Sequence, residues 1–124
     1  MHKLFTLLLI LFCEIELSQN QNNTHFKFRT ITTRQGLTQS TVLSIAQDTL
    51  GFMWFGTREG LNRFDGYQFT NYKHDPDDPN SLSDNYIQKV FVDKHNNIWI
   101  TTRGEGLNKF DYRTNKFTRY NFSG

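Results

Sequence analysis

Apolar and polar positions alternate in four short runs, Val42 to Gln47, Phe52 to Thr57, Leu61 to Asp65 and Gln68 to Tyr72. The alternation, as at Val42, Ser44, Trp54 and Gly56, carries no sustained 3.6-residue spacing, so it predicts strands rather than a helix. Turn chemistry separates the runs. Asp48 to Gly51 places Asp first and Gly fourth, which suits a type I turn followed by a residue at positive φ. Arg58-Glu59-Gly60 and Asp65-Gly66 close the other two turns. Turns this tight make neighbouring strands antiparallel.

The same unit comes twice. Leu37, Val42, Ile45, Asp48, Trp54 and Thr57 recur as Leu82, Ile87, Val90, Asp93, Trp99 and Thr102, each 45 residues further on. One inserted residue then aligns Gly60, Leu61, Asn62, Phe64 and Asp65 with Gly106, Leu107, Asn108, Phe110 and Asp111, and Phe69 and Tyr72 correspond to Phe117 and Tyr120. In the second copy Asn96 stands where the first has Gly51, and Tyr112 to Asn115 lengthen the last turn. In that copy Ile98, Ile100 and Thr102 share one strand face and Trp99 and Thr101 the other. A small sheet of such short strands cannot bury both faces alone and must stack on similar sheets, and radial stacking is a β-propeller. The expected class is all-β: a propeller fragment of two four-stranded antiparallel blades, 36–73 and 81–122, with a proline-stiffened link at 74–80.

The lead-in, 21–35, echoes the end of a unit. Phe28-Arg-Thr-Ile31 followed by Gly36-Leu37 matches Phe69-Thr-Asn-Tyr72 followed by Ser81-Leu82, so 25–31 is expected to be an orphan outer strand pairing with strands outside this sequence. Propellers have about four to eight blades, so the chain is expected to be part of a longer protein; a ring assembled from two-blade chains is the alternative.

Composition adds to this picture in three places. Twelve Phe, five Tyr and two Trp among 124 residues favour pleated packing. A net charge of +2 gives no case for nucleic-acid contact. The single cysteine, Cys13, excludes an internal disulfide. It lies at the end of an apolar run, Leu4 to Phe12, that follows Lys3 and reads as a signal peptide over 1–20; the run is too short for a membrane helix, which needs about 20 residues. Lipidation at Cys13 is disfavoured by Phe12, where a small residue is wanted.

The blocks Gly36-Leu-Thr-Gln-Ser-Thr-Val42, Asp48-Thr-Leu-Gly-Phe-Met-Trp-Phe-Gly-Thr57, Gly60-Leu-Asn-Arg-Phe-Asp65 and Ser81-Leu-Ser-Asp-Asn85 resemble the regulator-propeller repeats of hybrid two-component sensors, over about residues 26–122. Thr101 for Gly56 and Asn96 for Gly51 depart from the pattern. The resemblance implies a periplasmic sensor of glycan-degrading bacteria, anchored in the inner membrane and homodimeric. Behind its propellers would come a sandwich domain, a membrane helix, a histidine kinase, a receiver and a helix-turn-helix output. On this reading the chain is not itself an enzyme and needs no cofactor or metal. Its partners are an oligosaccharide and the remaining blades. An exported propeller glycosidase or lyase and a scaffold for protein contacts are the alternatives.

Conspicuous residues divide accordingly. Asp48, Gly51, Trp54 and Thr57, with Asp93, Trp99 and Thr102, read as structural repeat positions, the aspartates accepting bonds within their own turns. Glycine follows Asp48 by three positions, against two in the aspartate boxes of sialidases. The oxygen-rich link His74 to Leu82 lacks the alternating ligand series and glycine of a helix-loop-helix calcium site. His2, His25, His74 and His95 each stand alone in polar or turn settings and read as solvated surface rather than phosphoacceptors. In a meander, the loop entering the first strand and the second-to-third turn emerge on one side. Gln39, Ser40, Arg58 and Glu59 therefore share a rim with Asp84, Asn85, Tyr86, Arg103 and Glu105. Arg58, Glu59, Tyr86, Arg103 and Glu105 form the candidate ligand-binding set, the arginines as forked donors and Tyr86 as a stacking surface. Surface ion pairs of the arginines with Glu59 and Glu105 are the competing expectation.

Overall fold

The structure, a computed structural model, describes residues 24–104 and 106–121. The signal segment, Cys13, His2 and Glu105 lie outside the described residues. Eight strands follow in order: β1 (Val42–Gln47), β2 (Met53–Thr57), β3 (Gly60–Phe64), β4 (Phe69–Tyr72), β5 (Ile87–Val92), β6 (Ile98–Thr102), β7 (Gly106–Asp111) and β8 (Lys116–Tyr120). They form two four-stranded sheets, β1 to β4 and β5 to β8, in sequence order and antiparallel throughout. Among the described residues the only helical element is a 3-10 turn at Thr33–Gln35, and no helix is long and apolar enough to cross a membrane.

The turns take the expected backbone. The Gly51 N–H donates to Asp48 O at 3.1 Å with φ at +92°, and Asn96 repeats this on Asp93 at 3.1 Å with φ at +61°. Asparagine tolerates the left-handed region well enough to replace glycine here.

One feature of the pairing differs from simple alternation. A bulge shifts the register between Val42 and Ser44, and again between Ile87 and Lys89. Val42 therefore pairs with Thr57 while Ser44 pairs with Gly56, so Val42 shares its face with Ile45 and not with Ser44. An extra residue on one strand has this effect.

The sheets stack face on face. Trp54 and Gly56 of the first blade meet Ile87, Val90 and Phe110 of the second, and Trp54, Ile87, Ile98 and Ile100 are fully buried. Ser44 Oγ accepts from the Val90 N–H at 2.9 Å across the interface, and Asn96 Oδ1 accepts from the Thr49 N–H at 2.9 Å. The outward faces differ sharply. Val90 is 3% exposed but its repeat partner Ile45 is 58% exposed, and buried Trp54 corresponds to a half-buried Trp99. Each blade thus buries the face it turns to the other and leaves its second face bare.

The orphan outer strand expected at 25–31 would pair with strands outside this sequence. Residues 25–31 carry no strand assignment, because no ladder partner for them lies among the described residues, and residues 24–30 are exposed.

Candidate functional site

Each blade is pinned at its rim by a buried asparagine. Asn62 Oδ1 accepts from the Thr38 N–H at 2.9 Å, and its Nδ2 donates to Thr38 Oγ1 at 2.9 Å. Thr38 Oγ1 in turn lies 2.8 Å from Thr57 Oγ1. Asn108, Ser83 and Thr102 reproduce the arrangement at 3.0, 2.9 and 2.7 Å. These buried amides, satisfied on both ends, fix the loop entering each first strand against the third strand.

On that fixed rim the structure brings three of the candidate residues together. Arg58, from the β2–β3 turn, and Arg103, from the β6–β7 turn, each place the guanidinium carbon 5.6 Å from the centre of the Tyr86 ring. Tyr86 is half-buried, its N–H held by Asp84 Oδ1 at 3.0 Å and its carbonyl accepting from the Arg103 N–H at 3.0 Å. Cation–π contact thus joins a turn of one blade to the entry loop of the next. Glu59 is exposed, its N–H donating to Thr57 Oγ1 at 3.0 Å. Neither guanidinium lies within ion-pair distance of a described carboxylate; the ion pairs among the described residues are Arg113 with Asp111 and Lys116 with Asp78. Tyr86 has two cations at its ring, which gives it a holding position rather than a bare stacking face.

The aspartates sit at the opposite rim. Asp48 is buried: Oδ1 accepts from the Leu50 and Phe52 N–H groups at 3.0 and 2.9 Å, and Oδ2 from Trp54 Nε1 at 2.8 Å and the Tyr112 hydroxyl at 2.5 Å. Asp93 Oδ2 accepts from Trp99 Nε1 at 3.0 Å and Asn97 Nδ2 at 2.9 Å. The Trp99 donor first, then Asn97, holds the Asp93 carboxyl well below the usual carboxylate range. Both carboxylates are engaged by donors of their own turns and blades, Asp48 also by Tyr112, and no cluster of three metal-ligating side chains occurs among the described residues. His74 Nδ1 contacts the Leu82 carbonyl at 2.6 Å inside the blade link.

Alternation gave no sign of two interface residues. Arg63 stacks near four rings, 4.9 Å from Phe52, 5.7 Å from Trp54, 5.8 Å from Phe110 and 5.9 Å from Tyr72. Tyr112 reaches back from the second blade to Asp48. The only advance signal for Arg63 was a cation beside an aromatic-rich strand.

The description "Two component regulator propeller" matches residues 36–59 and 81–104. Histidine kinase P4 of Formosa agariphila is 45% identical over 74 residues, 60% of this chain and 5% of the kinase. A B. thetaiotaomicron structure described as the extracellular domain of hybrid two component system BT3049 superposes with a TM-score of 0.69 at 39% identity, covering 77% of this chain and 13% of that one. The extracellular domain of BT4673 from the same organism, described as a one component system, gives 0.61 at 30% identity, covering 78% and 14%. The chain thus spans a small part of each relative. With the repeat blocks, blade topology and inter-blade packing all in agreement, the chain carries two-component regulator propeller repeats at 36–59 and 81–104 and folds as two propeller blades similar to those of these extracellular domains.

Proposed function

We propose that the segment is the ligand-sensing part of a hybrid two-component sensor, exported to the periplasm by the leader at 1–20. It detects oligosaccharides for a homodimeric histidine kinase anchored in the inner membrane. Two bare blade faces support a larger propeller around it. The observation that carries the ligand reading is the Arg58–Tyr86–Arg103 cluster, built from two blades on one rim. A ligand bridging two blades changes their relative stability, and a differential affinity of that kind shifts a two-state equilibrium that a kinase reads. Glu59, next to Arg58, is exposed on the same turn.

The test is calorimetric titration of the sensor's intact extracellular region with an oligosaccharide panel, alongside an assay for newly released sugar ends. Saturable binding without cleavage supports the sensor. Cleavage would establish the exported glycosidase or lyase instead, and neither binding nor cleavage would leave the contact scaffold.

A further inference from the structure

We infer that the rim cluster takes an anionic saccharide, one bearing a carboxylate or a sulfate ester, rather than a neutral one; this rests on the oligosaccharide reading above. Three observations lead there. Arg58 and Arg103 are exposed and remain charged at every physiological pH. Neither has a described carboxylate within ion-pair distance, so the donors of each guanidinium stay open to an incoming anion. Tyr86 lies 5.6 Å from both guanidinium carbons, and its own backbone is tied to Asp84 and Arg103. The ring therefore restrains two side chains that would otherwise lose much rotamer freedom on binding.

Neutral sugars are recognised chiefly by stacking on an open aromatic face and by paired amides or carboxylates. This rim has its Asp84 and Asn85 Oδ1 atoms engaged by the Tyr86 and His74 N–H groups. It has a tyrosine already engaged by cations and two planar forks, whose geometry matches carboxylate and sulfate oxygens two at a time. The two arginines come from different blades, so a ligand that engages both spans the blade junction. A single monosaccharide acid engaging one fork would leave the other unused. Oligomers are therefore the better ligands.

The experiment uses the sensor's intact extracellular region with four probes: a tetragalacturonate, its methyl ester, a sulfated galactan tetrasaccharide and the same sugar desulfated. The expected result is that at least one acidic probe binds about tenfold or more tightly than its uncharged counterpart, as charge-assisted bonds require. Raising the salt weakens that binding. The winning probe tells carboxylate from sulfate. Arg58→Ala and Arg103→Ala each abolish the preference, Arg58→Lys retains part of it, and an unchanged thermal unfolding curve shows that the fold is intact. Tyr86→Leu weakens acid binding with both arginines present, which a purely structural tyrosine outside the site would not do. Equal binding of charged and uncharged probes, or a preference that survives both alanine variants, overturns the inference and leaves the oligosaccharide reading standing. Binding of no saccharide overturns both.

Discussion

The Tyr112 hydroxyl of the second blade donates to the buried Asp48 carboxylate of the first at 2.5 Å. Asp48 Oδ2 also accepts from Trp54 Nε1, so this oxygen joins its own blade to the neighbouring one while Oδ1 holds the turn. Replacing Tyr112 by Phe removes one donor from a buried carboxylate while keeping the ring against Phe110. Leaving such a group under-satisfied costs about 1–3 kcal/mol. Denaturant unfolding of the intact extracellular region measures this, and an unchanged midpoint would show that water replaces the hydroxyl. Burial, and then Asp48, push the Tyr112 hydroxyl above its ordinary pKa of 10.0. Its contribution is therefore complete below pH 10.0 and is lost as the pH rises through the higher folded value.

Gly56 sets the distance between the blades. A Cβ there would lie 2.6 Å from Ile87 Cγ2 and 3.3 Å from Val90 Cγ2. Gly56→Ala is expected to destabilise by about 1–3 kcal/mol through overpacking. Combining it with Ile87→Ala should cost less than the two single changes together, since each relieves the other's defect. Strict additivity in this cycle would separate the cost from the contact. The repeat partner Thr101 lies on the face of Phe91 and Trp99, which no other described blade covers, so its Cβ meets no such contact there.

Acid should act at Asp93. Its folded pKa is depressed below 3.8 by the bonds from Trp99 and Asn97. The contribution is fully present above 3.8 and is lost as the pH falls through the lower folded value. Asp65, Asp78 and Asp111 are shifted the same way, by backbone donors or by Lys116. Asp93→Asn should accordingly reduce, without removing, the slope of stability against pH on the acid side. An identical slope in the variant would place the acid sensitivity elsewhere.

Much of this architecture was legible in the residues, for reasons that also mark where legibility stopped. The Asp48 and Asp93 turns declare themselves through local chemistry, so the first strand starts at Val42 and ends at Gln47 as expected. The third begins at Gly60 rather than Leu61, because Gly60 pairs directly with Thr57 across a two-residue turn. Alternation says that Trp54 and Gly56 share a face. It does not say which sheet covers that face, so the Tyr112–Asp48 bond and the four rings around Arg63 were out of reach. The bulges were hidden too, since an extra residue in a strand has no residue type of its own. On the rim, meander geometry placed Arg58, Tyr86 and Arg103 on one side. That both arginines converge on one ring depends on how closely two blades approach, which is a property of packing.

The bare faces yield the last expectation. Ile45 is 58% exposed while Val90, at the same repeat position, is 3% exposed. The difference arises from neighbours, since Val90 lies under the first blade and Ile45 faces away from the second. If a further blade covers Ile45 in the intact sensor, Ile45→Ala acts as a core truncation and costs about 2–5 kcal/mol. If Ile45 stays in solvent, the same change falls within about 0.5 kcal/mol. The expected outcome is the larger loss, read from the denaturant midpoint of the intact extracellular region with Gln88→Ala as the exposed control. The equivalent change on the other bare face, Phe91→Ala, should behave alike, because Phe91 stacks on Trp99 where Ala46 lies beside Trp54. Neutral results at both positions would mean that this pair of blades is not enclosed between others.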